Sequence, residues 1–423
     1  MTSESETLIT ERRELRLSEQ SPVFWSNCSR ARHGWYEFKE GFAADLVRDF
    51  VGNHGCNVID PFCGSGTTIV ESAACGGDAV GVEVNPFVSL LARAKSERVY
   101  DVRRFDESVD YLLSGRQRAK SFRLTHESTL VERKGLSQWL FNASVAKRFE
   151  DLASRIELLP SPKYRRLLKV VLIWAMKHCC NAKKDGKGLR YRSDWRARAF
   201  VAADLDREVH RLLKRVRSDL VELPRLTGRT RVINGDCRRV LPAMATNDDF
   251  RFDALLTSPP YLNSFDYTDI YRPELLLMGS YHSSSDLRPI RLRTLRSHVQ
   301  VEWPGSPMSS LASVQRLVEA ISAGRLWHRR ISEMIHAYFV DLESVFAAAL
   351  RLLRRGAPVG VVIAQSAYAG HVVPCDVIAA EVLNQCGFEV DGIETLRVLK
   401  GNGNHQLREG AWMVESLVRA RRP

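Results

Sequence analysis

The sequence lacks several features that would define its class at once. No Cys-x-x-Cys pair occurs among its nine cysteines, so neither a structural zinc site nor a disulfide scaffold is expected. No apolar run reaches the ~18 residues that a membrane span needs, and the polar first 19 residues do not resemble a secretory signal. Free thiols without a signal are typical of a cytoplasmic protein that binds no metal.

Acidic residues are too few to balance the basic ones. The net charge is +12 and the isoelectric point is about 9.4, which favours a polyanionic partner such as nucleic acid. The excess is concentrated in residues 101–230, which hold 30 Lys and Arg against 16 Asp and Glu. This stretch shows mainly helical periodicity, in residues 136–156, 164–178 and 204–223.

A glycine-rich motif follows the first predicted strand. Residues 58–68 read VIDPFCGSGTT and lead into a helical pattern, which is typical of the nucleotide-binding start of a Rossmann-like unit. The loop has neither the lysine of a phosphate-binding loop nor the third glycine of the dinucleotide fingerprint. Glu83 ends the next strand, where it can accept hydrogen bonds from ribose hydroxyls. A nucleoside without phosphates fits best, and S-adenosylmethionine is the common one.

A second motif follows the strand at residues 252–256. The string Thr257-Ser258-Pro259-Pro260-Tyr261 must turn there, because each proline removes a backbone donor. The turn offers the Ser258 hydroxyl and the Pro259 carbonyl as acceptors, and the Tyr261 ring as a stacking face. These groups suit an amino group on a planar ring.

As a pair, the two motifs resemble those of the amino-methyltransferases that act on DNA bases, the N4-cytosine and N6-adenine enzymes. Residues 32–42 are similar to the segment that closes over the methionine end of the cofactor, and Gly235-Asp236 to the position that contacts its adenine. The resemblance implies a catalytic group of Ser258, Pro259, Pro260 and Tyr261. It implies a cofactor-binding group of Lys39, Phe42, Asp60, Pro61, Phe62, Cys63, Gly64, Ser65, Gly66, Thr67, Thr68, Glu83, Asn85, Asp236 and Cys237.

The predicted fold is α/β: a Rossmann-like, doubly wound, mostly parallel sheet with an antiparallel edge strand and an inserted helical domain. We divide the chain into a flexible N-terminus (1–20), a cofactor-binding part (21–100), a basic helical insert (101–230), a catalytic part (231–279), a second insert (280–332) and a C-terminal part (333–423). Candidate DNA contacts in a predicted loop of the first insert are Lys183, Lys184, Lys187, Arg190, Tyr191 and Arg192, and those in the second are Arg293 and Arg296.

The sequence therefore predicts transfer of a methyl group from S-adenosylmethionine to the exocyclic amine of a flipped DNA base. Serine at the first position of the second motif favours cytosine N4 over adenine N6 in the families that it resembles. RNA guanosine-N2 methylation and a catalytically inactive DNA-binding protein stay open as alternatives. A restriction endonuclease or other defence proteins would be partners typical of the family.

Overall fold

A computed structural model describes residues 13–14, 27–52, 55–115, 124, 129–185, 188–223, 225–246, 251–281, 283–305, 307–399 and 412–423. Its strands are β1 (Arg13–Glu14), β2 (Val58–Asp60), β3 (Ala79–Glu83), β4 (Ala182–Asp185), β5 (Gly188–Tyr191), β6 (Thr230–Asn234), β7 (Ala254–Thr257), β8 (Pro358–Ala364), β9 (Ser366–Tyr368), β10 (His371–Val373), β11 (Glu389–Leu399) and β12 (Met413–Arg421). Within these ranges, every helix is too short or too polar to traverse a lipid bilayer.

The helices alternate with the strands along much of the chain. They are α1 (Ala44–Val51), α2 (Thr67–Ala74), α3 (Pro86–Lys95), α4 (Val102–Ser114), α5 (Ala143–Glu157), α6 (Pro162–His178), α7 (Ala202–Glu222), α8 (Cys237–Ala245), α9 (Tyr267–Ile270), α10 (Arg272–Leu277), α11 (Leu287–Arg291), α12 (Ala312–Ser322), α13 (Ile331–Leu352) and α14 (Cys375–Gln385).

Eight strands form the central sheet in the order β1-β11-β12-β8-β7-β2-β3-β6. Strands β6, β3, β2, β7 and β8 are mutually parallel, whereas β12 is antiparallel to both β8 and β11. The predicted fold class is thus confirmed. The antiparallel strand β12 lies inside the sheet rather than at its edge, because β11 adds outside it and β1 pairs with β11.

Helices cover both faces of the sheet. On one face, α8, α13 and α14 bury the side chains of Val359, Val361 and Ile363 from β8. The alternate residue Val362 points to the other face, where α1 packs. Central strands buried on both faces read as continuous apolar runs, which is why they were visible in the sequence.

Helices α4 to α7 occupy most of residues 101–230 and share one hydrophobic cluster with α3, through Phe87 and Leu91. They therefore pack as an additional layer on the α3 side of the sheet. Helix α5 begins at Ala143, later than the periodicity predicted, because backbone pairing between Val131 and Phe141 holds the preceding segment extended.

Two segments that were predicted as a loop and as a flexible N-terminus contain strands. The predicted loop at residues 181–192 is an antiparallel hairpin of β4 and β5, since Ala182 and Leu189 pack against the cluster of α4 to α7. Gly186 and Lys187 lie outside the described residues. In the predicted N-terminal segment 1–20, β1 pairs with Glu394 and Thr395 of β11, and the other residues lie outside the described ranges.

Candidate active site

The two motif loops lie side by side at the carboxyl edge of the sheet. They follow β2 and β7, which are adjacent parallel strands. The Thr257 hydroxyl at the end of β7 donates to Asp60 Oδ1 at the end of β2, at 2.6 Å. Both loops line one cavity of about 290 Å³, together with residues 38–42, Gly235 and several groups from residues 261–298.

The glycine-rich loop curves between β2 and α2. Gly64 and Gly66 have φ of +49° and +88°, which favour glycine, and a Cβ at Gly66 would lie 3.1 Å from the Cβ of Ala92. Asp60 accepts a hydrogen bond from the Phe62 amide at 3.0 Å. Burial raises the pKa of Asp60 to about 6, although both hydrogen bonds lower it. The loop thereby wraps around one buried carboxyl group.

A second carboxyl group and an amide line the cavity at the end of β3. Glu83 Oε1 accepts from the Asn85 amide at 2.7 Å, and burial raises the pKa of Glu83 to about 7. The Asn85 side chain caps α3 by accepting from the amides of Phe87 and Val88. Its Nδ2 is buried and has no partner among the described residues. The site therefore offers the Glu83 carboxylate as an acceptor.

At the end of β6, Gly235 and Cys237 line the cavity, whereas the charged residue between them, Asp236, does not. The Asp236 carboxylate is bound by the side chain of Arg238 at 2.8 Å and also accepts from the Arg238 amide at the start of α8. Arg238 in turn binds Asp341 of α13 at 2.9 Å. Asp236 therefore links α8 to α13 through Arg238. Gly235 and Cys237 form this part of the cavity wall.

The Ser-Pro-Pro-Tyr turn is held from behind by three side chains. Tyr338 donates to the Pro260 carbonyl at 2.8 Å, and Tyr368 donates to the Leu262 carbonyl at 3.0 Å. The Tyr261 hydroxyl donates to Glu415 of β12. The Pro259 carbonyl receives no hydrogen bond from the described part of the chain. An acceptor at the cavity wall is thus left for a ligand.

The aromatic wall beside the glycine-rich loop was only partly predicted. Phe38 stacks on Tyr271 with ring centroids 5.7 Å apart, and the Tyr271 hydroxyl donates to Glu40 at 2.6 Å. Lys39 and Phe42, which were predicted, line the cavity with them. Phe38, Glu40 and Gly41 of the predicted segment 32–42 line it as well, and so does the predicted Gly235. The lining residues that the sequence prediction assigned to neither cofactor nor base are Val82, Val84, Val88, Asn263, Phe265, Tyr267, Thr268, Tyr271, Thr294, Leu295, Ser297 and His298. The four-residue spacing of Tyr267 and Tyr271 was a usable signal, since it predicts one helix face.

Most predicted cofactor and catalytic residues meet in this cavity. Those that line it are Lys39, Phe42, Asp60, Pro61, Phe62, Cys63, Gly64, Ser65, Thr67, Thr68, Glu83, Asn85, Cys237, Ser258, Pro259, Pro260 and Tyr261. Gly66 packs on Ala92 instead. No group of metal-binding side chains occurs in the ranges that the structure describes.

The predicted DNA contacts are more dispersed. Lys183 and Arg190 are exposed, and Arg190 pairs with Asp185 of the same hairpin. The Lys184 ammonium lies inside the protein, 3.1 Å from Glu274 and 3.3 Å from the centroid of the Tyr271 ring. Its charge is therefore compensated within the fold.

The remaining predicted DNA contacts also divide into exposed side chains and side chains that are bound within the protein. Tyr191 packs on Trp195, and Arg192 Nε donates to the Cys180 carbonyl at 3.0 Å. In the second insert, Arg293 lines the cavity and is exposed. Arg296 instead binds both carboxylate oxygens of Asp341, which neutralises it.

Comparisons with known proteins point to one class. No family model matches the chain. It is 25% identical over 429 residues to the type II methyltransferase M.AvaI of Nostoc sp., covering 92% of this chain and 86% of that protein. It is 24% identical over 440 residues to the type II methyltransferase M.BsoBI of Geobacillus stearothermophilus, with 91% and 84% covered. A segment of 75 residues is 37% identical to M.MjaII of Methanocaldococcus jannaschii, covering 17% and 14%.

Solved structures resemble the chain only distantly. A SAM-dependent methyltransferase from Methanosarcina mazei has a TM-score of 0.26 and 11% identity, with 89% of this chain and 96% of that chain covered. The Rossmann-like fold is shown by the strand order of the central sheet. Glu83 and a glycine-rich loop that contains no lysine fit a nucleoside without phosphates. The chain is thus similar over nearly its whole length to type II methyltransferases, and its Rossmann-like sheet holds the cavity in which the two motif loops meet.

Proposed function

We propose that the protein is a DNA methyltransferase that modifies the exocyclic amine of a flipped base, with cytosine N4 favoured. One observation carries the proposal: the glycine-rich loop and the Ser-Pro-Pro-Tyr turn line the same cavity. Cofactor and base can therefore meet without a large rearrangement, and proximity of this kind supplies much of the catalysis in transfer reactions.

One half of the cavity suits the adenosyl group of the cofactor. The Glu83 carboxylate accepts hydrogen bonds from ribose hydroxyls, and Gly235 and Cys237 lie where the adenine ring binds. Phe38 and Phe42, with the loop at residues 60–68, enclose the remainder. S-adenosylmethionine supplies the electrophilic methyl group. The chain holds that group in position and excludes water from it.

The other half suits an aromatic amine. The Ser258 hydroxyl and the free Pro259 carbonyl accept hydrogen bonds from the two amino protons, which draws the nitrogen toward tetrahedral geometry. Its lone pair, otherwise delocalised into the ring, then points at the methyl group. Tyr261 stacks on the base. A strong general base is not required, because the amine proton becomes acidic once the new bond forms.

Two observations support DNA as the substrate. The relatives that match most of the chain are type II methyltransferases. The net charge of +12 suits a polyanion, and exposed Lys183, Arg190 and Arg293 are candidate phosphate contacts. A base that is stacked within a duplex cannot enter the cavity that the Ser-Pro-Pro-Tyr turn lines. The target base must therefore flip out of the helix, at a cost of a few kcal/mol. A restriction endonuclease is the expected partner of such an enzyme.

The target base is the finer part of the proposal. Two neutral acceptors can serve the amino group of cytosine or of adenine, and the serine at position 258 is the reason to favour cytosine. Adenine N6 is the alternative.

Mass spectrometry of nucleosides from unmethylated plasmid DNA, incubated with the protein and S-adenosylmethionine, tests the proposal. N4-methylcytosine would support it, N6-methyladenine alone would reject the choice of base, and methylation of transfer RNA but not of DNA would reject the substrate. Sequencing the methylome of cells that express the protein would add the recognition sequence.

A further inference from the structure

An exposed tryptophan lies in a basic segment just before α13. Residues 325–330 read Arg-Leu-Trp-His-Arg-Arg, and we refer to them as the tryptophan segment. The Trp327 side chain is 64% exposed. Arg325 and Arg329 are exposed as well, and no carboxylate among the described residues pairs with either. The exposed indole and the two unpaired guanidinium groups together form a surface that offers both a stacking face and positive charge.

The tryptophan segment lies near the catalytic turn. Arg330 Nη2 donates to the Val299 carbonyl at 2.6 Å, and α13 begins at the next residue. Tyr338, seven residues into α13, donates to the Pro260 carbonyl. Seven helical residues span about 10 Å. The far end of α13 reaches the opposite edge of the sheet, where Leu352 accepts from the Phe252 amide at the start of β7.

A second cavity lies beside the tryptophan segment and shares one lining residue with the catalytic cavity. It measures about 470 Å³ and is lined by Arg329, Arg330 and His298, and His298 also lines the catalytic cavity. Glu302 and Glu333 line it too, but neither forms an ion pair with Arg329 in the described part of the chain. Exposed Arg325 and Arg329 therefore place two unpaired positive charges on either side of Trp327.

We propose that the tryptophan segment contacts DNA beside the flipped base, an inference that rests on the proposed function. Arg325 and Arg329 neutralise backbone phosphates, and the Trp327 indole stacks on a nucleobase that loses its neighbour when the target flips. Every base has a π-face, so such stacking is independent of sequence. Apolar and aromatic side chains are known to fill gaps opened in a duplex. The arrangement holds the DNA open next to the cavity.

Two variants and a matched control test this surface. The first is Trp327→Ala, the second is Arg325→Ala with Arg329→Ala, and the control is Arg351→Ala with Arg355→Ala. The control pair is exposed at the other end of α13. Binding to a fluorescein-labelled DNA duplex of random sequence is followed by anisotropy over a range of salt concentrations. Methyl transfer to unmethylated plasmid DNA and calorimetric binding of S-adenosylmethionine are measured on the same preparations.

The two variants should alter different measurements. Loss of two phosphate contacts should reduce the slope of log K against log salt by about two, because each contributes about 0.9. Trp327→Ala should leave the affinity for the random duplex and its slope unchanged, because no target base flips there, and should lower methyl transfer to plasmid DNA about tenfold, because stacking on the exposed base is lost. The control pair should behave like the unmodified protein, and cofactor affinity should not change in any variant.

The failure of this inference can be distinguished from that of the proposed function. If the unmodified protein methylates DNA and both variants bind and methylate equally well, the tryptophan segment is not the contact. Equal losses in the control pair would also overturn it, since they would report overall charge. If the unmodified protein neither binds nor methylates DNA, the proposed function itself fails, and this inference fails with it.

Discussion

The Tyr261 hydroxyl donates a hydrogen bond to Glu415, and Arg397 binds the same carboxylate at 2.6 Å. Glu415 lies on β12, which pairs with β8 on one side and with β11, the strand of Arg397, on the other. The ring predicted to stack on the base is therefore fixed by two strands that are remote from it in sequence. Burial and the adjacent Glu415 charge raise the pKa of Tyr261 well above its ordinary value, so the phenol remains a donor.

This relationship predicts a coupled loss of activity. Tyr261→Ala should abolish methyl transfer and leave S-adenosylmethionine binding intact, because the ring contacts the base and not the cofactor. Tyr261→Phe removes one hydrogen bond to a charged group and should lower kcat about tenfold. Glu415→Ala also removes the contacts with Arg397 and should lower kcat at least as much. The double variant should be little worse than Glu415→Ala alone. Single-turnover kinetics and calorimetry measure the two effects. Loss of cofactor binding with transfer retained would show that the roles are wrongly assigned.

Cofactor binding should depend on pH through Glu83. Burial raises the pKa of Glu83 to about 7, so below pH 7 the group is mostly protonated and accepts poorly from ribose hydroxyls. Affinity should therefore fall about tenfold as pH falls from 8 to 6, with proton release on binding near pH 7.

Glu83→Gln is the control for this dependence. The amide cannot titrate, so the variant should bind more weakly at pH 8 and show a nearly flat profile down to pH 6.5. Asp60, whose pKa is raised to about 6, titrates mainly below that window. Calorimetry in two buffers of different ionisation enthalpy measures both affinity and proton release. An unchanged pH profile in Glu83→Gln would exclude Glu83 as the titrating acceptor.

Substitution of Gly66 should be destabilising for two reasons, its positive φ and its contact with α3. Alanine there must adopt a φ near +88°, and its Cβ would lie 3.1 Å from the Cβ of Ala92 in α3. Gly356 has a φ of +75° but open space around it, so Gly356→Ala shows the backbone cost alone, about 1 kcal/mol. Gly66→Ala should lower the melting temperature further and weaken cofactor binding, because the loop must shift. Equal effects from the two substitutions would show that the contact with α3 is unimportant.

The two motif loops were predictable because each is encoded locally. An apolar strand ends at a residue that cannot extend it, and the glycines or prolines that follow fix the turn. Since β2 and β7 are both buried parallel strands, their carboxyl ends must share one edge of the sheet. The adjacency of the two loops was expected from the resemblance of the paired motifs, and β2 and β7 are indeed neighbours in the sheet.

Pairings between distant residues were not predictable in this way. The Phe38–Tyr271 wall joins a segment before α1 to the end of α9, and nothing near either ring indicates the other. The same limit affects the basic residues. Arg296 is neutralised by Asp341, 45 residues away, so a count of charges along the chain cannot separate a structural arginine from a DNA contact.

Lys184 provides a direct test of that distinction. Its ammonium lies 3.1 Å from the buried Glu274 and over the Tyr271 ring, which lines the catalytic cavity. Removing one partner of a buried pair leaves an uncompensated charge, so Lys184→Ala should lower the melting temperature clearly. It should also reduce methyl transfer through displacement of Tyr271. The exposed neighbour Lys183 is the matched control, and Lys183→Ala should leave the melting temperature unchanged. The slope of DNA affinity against salt should be unaffected by Lys184→Ala, because that charge is not available to phosphate. A reduced slope with an unchanged melting temperature would instead assign Lys184 to the DNA interface.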